Sequence, residues 1–417
     1  MVALQFYLGG FVPGSVGLSF ISSVRGSRGD LKLPPIVWAA PIGCDFSGFF
    51  VEVLSYMIGL ADAVPPRRIF FKLGDCSEAF LSSLGEKEAS ILRTLQRDFK
   101  EVNPLPKDVV WIFHKQSEHT FPEFFRTMDP EIRPKLAIGR MMTETEIVPQ
   151  KDVEYALQAD DVWVPSDFHR DAFAKAGVPA SKLFVLPEAV DCDFFSETTP
   201  KAESRTRFRF VSVFKYEHRK GGDVLLRAYW SEFTKMDDVE LIIRSYKPGW
   251  AGGKTLAEEF NEIAHVNFGK GANDLARVTL IENAMSKSEL RQLYQRSNIF
   301  VLPTRGEGWC LPAAEAMASG IPAIATNFSG LTQFIKESIS YPLPVLRMNA
   351  DGTAEPDEKS LRRIMRSVFA NPAEVLQKGR RAQRYVTSKF HPHELAKRIL
   401  QRIAFLLRLK EKNIMNI

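Results

Sequence analysis

Residues 298–327 read NIFVLPTRGEGWCLPAAEAMASGIPAIATN. An apolar, β-branched run stops at Pro303, and a glycine-containing loop carries Glu307. Pro312 then stands at a first-turn helix position, where its missing N–H does no harm. After the helix, IPAIAT at 321–326 reads as the next strand. Strand, loop, helix and strand in this order predict a parallel sheet covered by helices, with function in the strand-to-helix loops.

The same alternation runs outward from this stretch. Apolar runs at 36–40 (IVWAA), 68–73 (RIFFKL), 108–113 (DVVWIF), 135–139 (KLAIG), 160–165 (DDVWVP) and 182–187 (KLFVLP) alternate with amphipathic segments. The pattern restarts after the polar segment SETTPKAESRTR (196–207), with strands expected at 209–214, 239–245, 277–281, 298–303 and 321–326. The reading is an α/β chain of two successive doubly wound, Rossmann-like halves with ligand sites in the cleft between them. A length of 417 residues suits two cores rather than one.

The expected divisions are a flexible or truncated leader at 1–33, a first domain at 34–200, a second at 201–388 and a terminal segment at 389–417. A cleaved signal is the other reading of the leader, although Gly9, Gly10, Pro13 and Gly14 interrupt its apolar run. The last helix, at 393–410, carries Leu395, Ile399, Leu400, Ile403 and Leu406 on one face and Arg398, Arg402 and Lys410 among its polar positions. It reads as a packing helix whose basic side also suits an anionic membrane surface.

Apolar residues at 45% and charged residues at 25% are ordinary for a globular chain. The net charge of +5 is interleaved rather than blocked, which argues against a nucleic-acid partner. No apolar run reaches the length of a membrane span. Cys44, Cys76, Cys192 and Cys310 lie far apart with no C-x-x-C pair, so neither a disulfide framework nor a zinc site is expected, and a reducing compartment is indicated.

Three loops concentrate chemistry. The N–H groups of Trp309, Cys310 and Leu311 sit at the positive end of a helix and would favour a phosphate or a polarised hydroxyl, with Gly308 beside them. Glu307 and Glu315 flank that position and could each accept from a vicinal diol; an exposed loop glutamate and a dipole-favoured first-turn glutamate are the plain alternative. In VSVFKYEHRKGGDVLLRAY (211–229), Lys215, Arg219 and Lys220 precede two glycines and could neutralise a diphosphate, or form a solvated loop. In the first half, Gly48 lies in a loop without the G-x-G-x-x-G spacing of a dinucleotide site. His114 ends an expected strand, and Glu144 and Glu146 follow another. Structural histidine and helix-start charge are their rival roles.

Together these residues resemble the retaining, nucleotide-sugar-dependent glycosyltransferases of the GT-B fold, in particular family 4, the glycosyl transferases group 1. The resemblance covers about residues 36–405 and rests on three elements. These are the E-x7-E pattern of Glu307 and Glu315, the run Arg219, Lys220 and Gly221, and TETEIVP (143–149) followed by the segment 159–195. It implies two Rossmann-like domains with parallel sheets facing across a cleft, and a final helix crossing back to the first domain. It further implies that Glu307 binds the donor sugar and supports charge at the anomeric carbon, that Glu315 holds the ribose, and that Lys220 with Arg219 or Lys215 holds the diphosphate. His114 would stand near donor sugar and acceptor, Gly48 in the acceptor-side loop.

The implied reaction moves a hexose, with retention and without a metal or other cofactor, from a nucleoside-diphosphate sugar to a glycan, lipid or protein acceptor. The leader leaves the secretory pathway open, and the rest of the sequence reads as cytoplasmic or peripheral to a membrane. Cys310 stands where the family usually has glycine. A catalytically weakened protein of the same fold, acting as a binding or scaffold module, is the alternative.

Overall fold

The structure, a computed structural model, describes residues 33–40, 47–65, 67–72, 76–101, 108–114, 134–197, 207–247 and 252–414. Almost all of the leader and most of the polar boundary segment at 196–207 lie outside these residues.

The first half forms one sheet of β1 (Ile36–Ala39), β2 (Ile69–Lys72), β3 (Val110–His114), β4 (Leu136–Arg140), β5 (Asp161–Val164) and β6 (Leu183–Val185). Their order is β2-β1-β3-β4-β5-β6, and each pairing is parallel. The second half repeats the plan with β7 (Phe208–Lys215), β8 (Val239–Tyr246), β9 (Val278–Ile281), β10 (Ile299–Leu302), β11 (Ala323–Thr326) and β12 (Tyr341–Leu343). Here the order is β12-β11-β10-β7-β8-β9, again parallel throughout. Helices cover both faces, so the central strands β1, β3, β4, β5, β10 and β11 are buried along their whole length. Continuous burial selects the unbroken apolar runs seen in the sequence, where a half-exposed strand would alternate.

In each sheet the strand order reverses at one place, between β1 and β3 and between β7 and β10. The chain leaves neighbouring strands there in opposite lateral directions, which opens a crevice at their carboxyl ends. His114 ends β3, and the loops after β7 and β10 carry the cations and Glu307.

The helix Pro392–Ile414 returns to the first domain. Leu395, Ile399 and Ile403, each 0% exposed, share a core with Val53, Met57 and Leu60 of the helix Gly48–Ala63. Arg402 holds the buried Asp161 bidentately at 2.6 and 2.9 Å, and Arg398 donates to the Val185 carbonyl at 2.6 Å. These two arginines, assigned from the sequence to a polar face, therefore fasten the helix to the first sheet. No described helix is long and apolar enough to cross a membrane.

Cysteine spacing gives a wrong expectation: Cys76 is disulfide-bonded, its partner lying outside the described residues, while Cys192 and Cys310 are free and buried. The sequence reading also omits β12 and the antiparallel hairpin β13 (Val345–Met348) and β14 (Ala354–Pro356), which are short and interrupted by proline.

Candidate functional site

The loop after β7 bends into a short turn, His218–Lys220, that ends at Gly221 in the left-handed region (φ +71°). A Cβ on Gly221 would stand 1.9 Å from the Pro303 carbonyl oxygen, so only glycine lets this loop meet the one after β10. That approach delivers Lys220 to Glu307: Nζ lies 2.7 Å from both carboxylate oxygens. Thr304 donates to the same carboxylate at 3.1 Å, Arg219 stands 3.6 Å away, and the Glu307 amide donates to Ser329 at 2.8 Å. Glu307 is 4% exposed. Burial alone would favour its protonated form, but Lys220 and Arg219 outweigh it and hold the carboxyl below its ordinary range.

Arg305, which the sequence reading passed over, braces this loop. Its buried guanidinium pairs with both oxygens of Asp223 at 2.9 and 3.0 Å and both of Glu355 at 2.9 and 3.0 Å. It thus ties the β10 loop to the helix Gly222–Glu232 and to β14. Bidentate geometry on two carboxylates fixes direction as well as distance.

Beyond Glu307 the chain passes through Gly308, Trp309 and Cys310 into the helix Leu311–Ala318, all of these loop positions being buried. Cys310 is the residue before that helix and adopts φ +85°, ψ +70°, a left-handed conformation that disfavours any side chain. Burial, with Glu307 nearby, pushes its thiol well above the ordinary range. Glu315, inside the helix, accepts from the Tyr294 hydroxyl at 3.2 Å. Burial raises its carboxyl to about 7. Lys215 pairs with Glu217.

The first domain faces this group from across the cleft. Glu144, half exposed in the loop after β4, pairs with Arg219 at 2.7 Å, so the residue assigned to the acceptor side reaches the donor-side cations. A Cβ on Gly306 would stand 2.1 Å from the Glu144 carbonyl oxygen, which keeps the two loops in direct backbone contact. His114 is 1% exposed, its ring set edge-to-face against Phe49, next to Gly48, at 5.9 Å. Its Nε2 lies 3.2 Å from Glu52, which Arg140 holds at 2.6 to 2.7 Å. Burial opposes the charge on Glu52, yet Arg140 and His114 bring it down to about 2. Glu188, another buried carboxyl that sequence reasoning missed, is pushed well above its ordinary range by burial and by Glu52. The structure brings Lys220 and Arg219 of one expected loop to Glu307 of the other, whereas Glu315 bonds Tyr294 and Lys215 bonds Glu217; Glu52, Arg140, Glu188 and Arg305 sit in plain helix, strand or loop contexts that no spacing distinguishes.

Residues 205–354 match the family model described as Glycosyl transferases group 1. A "GDP-mannose-dependent alpha-(1-6)-phosphatidylinositol monomannoside mannosyltransferase" of Mycobacterium tuberculosis is 30% identical over 193 residues, 43% of this chain and 47% of that protein. A "D-inositol 3-phosphate glycosyltransferase" of Xylanimonas cellulosilytica is 25% identical over 214 residues, 48% of this chain and 47% of that protein. The chain spans about half the length of these curated relatives. Among solved structures, Anabaena HepE in complex with UDP and glucose superposes with a TM-score of 0.64 at 12% identity, covering 89% of this chain and 100% of that one. Sucrose-phosphate synthase from Thermosynechococcus elongatus gives 0.65 at 15% identity, covering 90% of this chain and 100% of that one. Residues 205–354 thus resemble the Glycosyl transferases group 1 model, and the chain's two six-stranded parallel sheets have the GT-B fold of these glycosyltransferase structures.

Proposed function

We propose that this chain is a retaining glycosyltransferase of family 4 that transfers a hexose from a nucleoside-diphosphate sugar to an acceptor, with no metal required. The observation that carries the proposal is the Glu307 carboxylate held ionised against Lys220 and Arg219 at the switch point of the second sheet. In this reading the two cations receive the diphosphate and stabilise it as charge develops on departure. Glu307 turns a fixed negative charge toward the sugar, where it accepts from hydroxyls and supports the positive anomeric carbon. Glu315, lying beyond the helix start, holds the ribose diol.

The mannosyl and inositol names of the curated relatives support a hexosyl donor and a polyol-containing acceptor, the glycan, lipid or protein attached to it being unassigned. A binding or scaffold role is the second reading, favoured by the Cβ and thiol of Cys310 in a loop whose backbone must approach the donor. Incubation of purified protein with UDP, GDP and ADP sugars, following nucleoside diphosphate release, separates the two. An enzyme releases the nucleoside diphosphate from one of them, passing the sugar to water in place of the acceptor, and loses release by about 100-fold or more in Glu307→Ala and Lys220→Ala. Binding without release supports the scaffold, and unchanged rates in both folded variants overturn the assigned roles.

A further inference from the structure

The contact between Glu144 and Arg219 joins two domains at the point where the proposed donor diphosphate must bind. Arg219 has three acidic neighbours: Glu144 at 2.7 Å, Glu217 at 3.5 Å and Glu307 at 3.6 Å. Its Nη1 also donates to the Gly306 carbonyl at 2.5 Å. Glu217 and Glu307 belong to the same domain as Arg219, whereas Glu144 comes from the loop after β4 in the first domain.

That loop is fastened down beside the site. Thr143 and Thr145 accept and donate within it, the Glu146 amide donates to the Gly352 carbonyl at 3.2 Å, and Thr143 offers its carbonyl to His169 at 2.7 Å. Ile147 lies against Gly352, and Met142 against Gly308. The backbone is thus anchored on both sides of Glu144, whose half-exposed carboxylate meets Arg219.

From this arrangement we infer that Glu144 is a positioning residue that competes with the donor diphosphate for Arg219. The inference rests on the proposed donor site. Nη2 of Arg219 already faces the carboxylates of Glu144 and Glu217, so a phosphate oxygen bonding there adds a further anion beside Glu144 and is opposed by its charge. Donor binding therefore exchanges a carboxylate of the first domain for a phosphate. The exchange releases one cross-cleft ion pair as the site fills, and it sets a threshold that weakly held anions do not pass. No covalent step is involved.

Isothermal titration calorimetry with inorganic pyrophosphate, UDP, GDP and ADP, on the full chain, tests this. Glu144→Gln keeps the side-chain shape and removes the charge, and Glu144→Ala removes both. Both are expected to bind the preferred diphosphate about fivefold more tightly than wild type, and Arg219→Gln to abolish the difference made by Glu144→Gln in the double variant. Affinities unchanged or weakened in both Glu144 variants overturn the competition. Absence of diphosphate binding in wild type and in both variants overturns the donor-site reading itself, and the competition with it.

Discussion

At the scale of single residues, the site joins ionised and neutral groups whose states follow from what surrounds them. Cys310 holds a left-handed backbone that costs about 1 kcal/mol or more for a residue with a Cβ. Cys310→Gly is therefore expected to keep or raise both the melting temperature and donor turnover, while Cys310→Val, β-branched at a positive φ, lowers the melting temperature by several degrees. Equal melting curves for the two variants would show that the conformation carries no strain. Glu315 gives a pH test. Burial lifts its carboxyl from an ordinary 4.5 to about 7 in the folded chain. The fold thus keeps a proton that the unfolded chain gives up, so the group's contribution is complete below 4.5 and is lost as pH rises through about 7. Glu315→Gln cannot ionise, and its melting temperature relative to wild type should rise between about pH 5 and about pH 8. Melts recorded at both pH values check this, and a constant difference contradicts it.

At the scale of elements, the terminal helix shows how much one segment contributes. Ile403 is 0% exposed within the core formed with the helix Gly48–Ala63. Ile403→Ala should cost about 2–4 kcal/mol in urea unfolding, a loss within the two-domain chain that starts from the first domain. A change of under about 0.5 kcal/mol would mean that the helix is not docked there in solution. The strands at β1, β3, β4, β5, β10 and β11 were legible because burial on both faces selects unbroken apolar runs. The hairpin of β13 and β14 was not, since three- and four-residue strands with Pro356 at one end carry little pattern. That Lys220, Glu307 and Gly221 lie in strand-to-helix loops was legible, because strong strand signals precede them. Glu52, Arg140 and Glu188 were not: their grouping depends on a helix, a strand and a loop of the first domain meeting, and Glu52 is one of several polar positions in its helix.

At the scale of the whole molecule, the two sheets place their switch points toward one cleft, and polar contacts cross it. Lys287 reaches both Glu88 and Asp191 at 2.5 Å, the Asp167 amide donates to Gln333 at 3.1 Å, and Glu144 pairs with Arg219. A donor held by Lys220, Arg219, Glu307 and Glu315, groups that only the folded chain assembles, would stabilise the folded state. The most direct measurement is a thermal-shift titration with UDP, GDP and ADP sugars, on wild type and on Lys220→Ala. Ligand at about 100 times its dissociation constant adds about 2.7 kcal/mol to the folded state. The expected result is a rise in the wild-type midpoint with at least one nucleotide sugar and none with that ligand in Lys220→Ala; wild-type midpoints unmoved by every nucleotide sugar, or raised equally in the variant, would contradict the donor site.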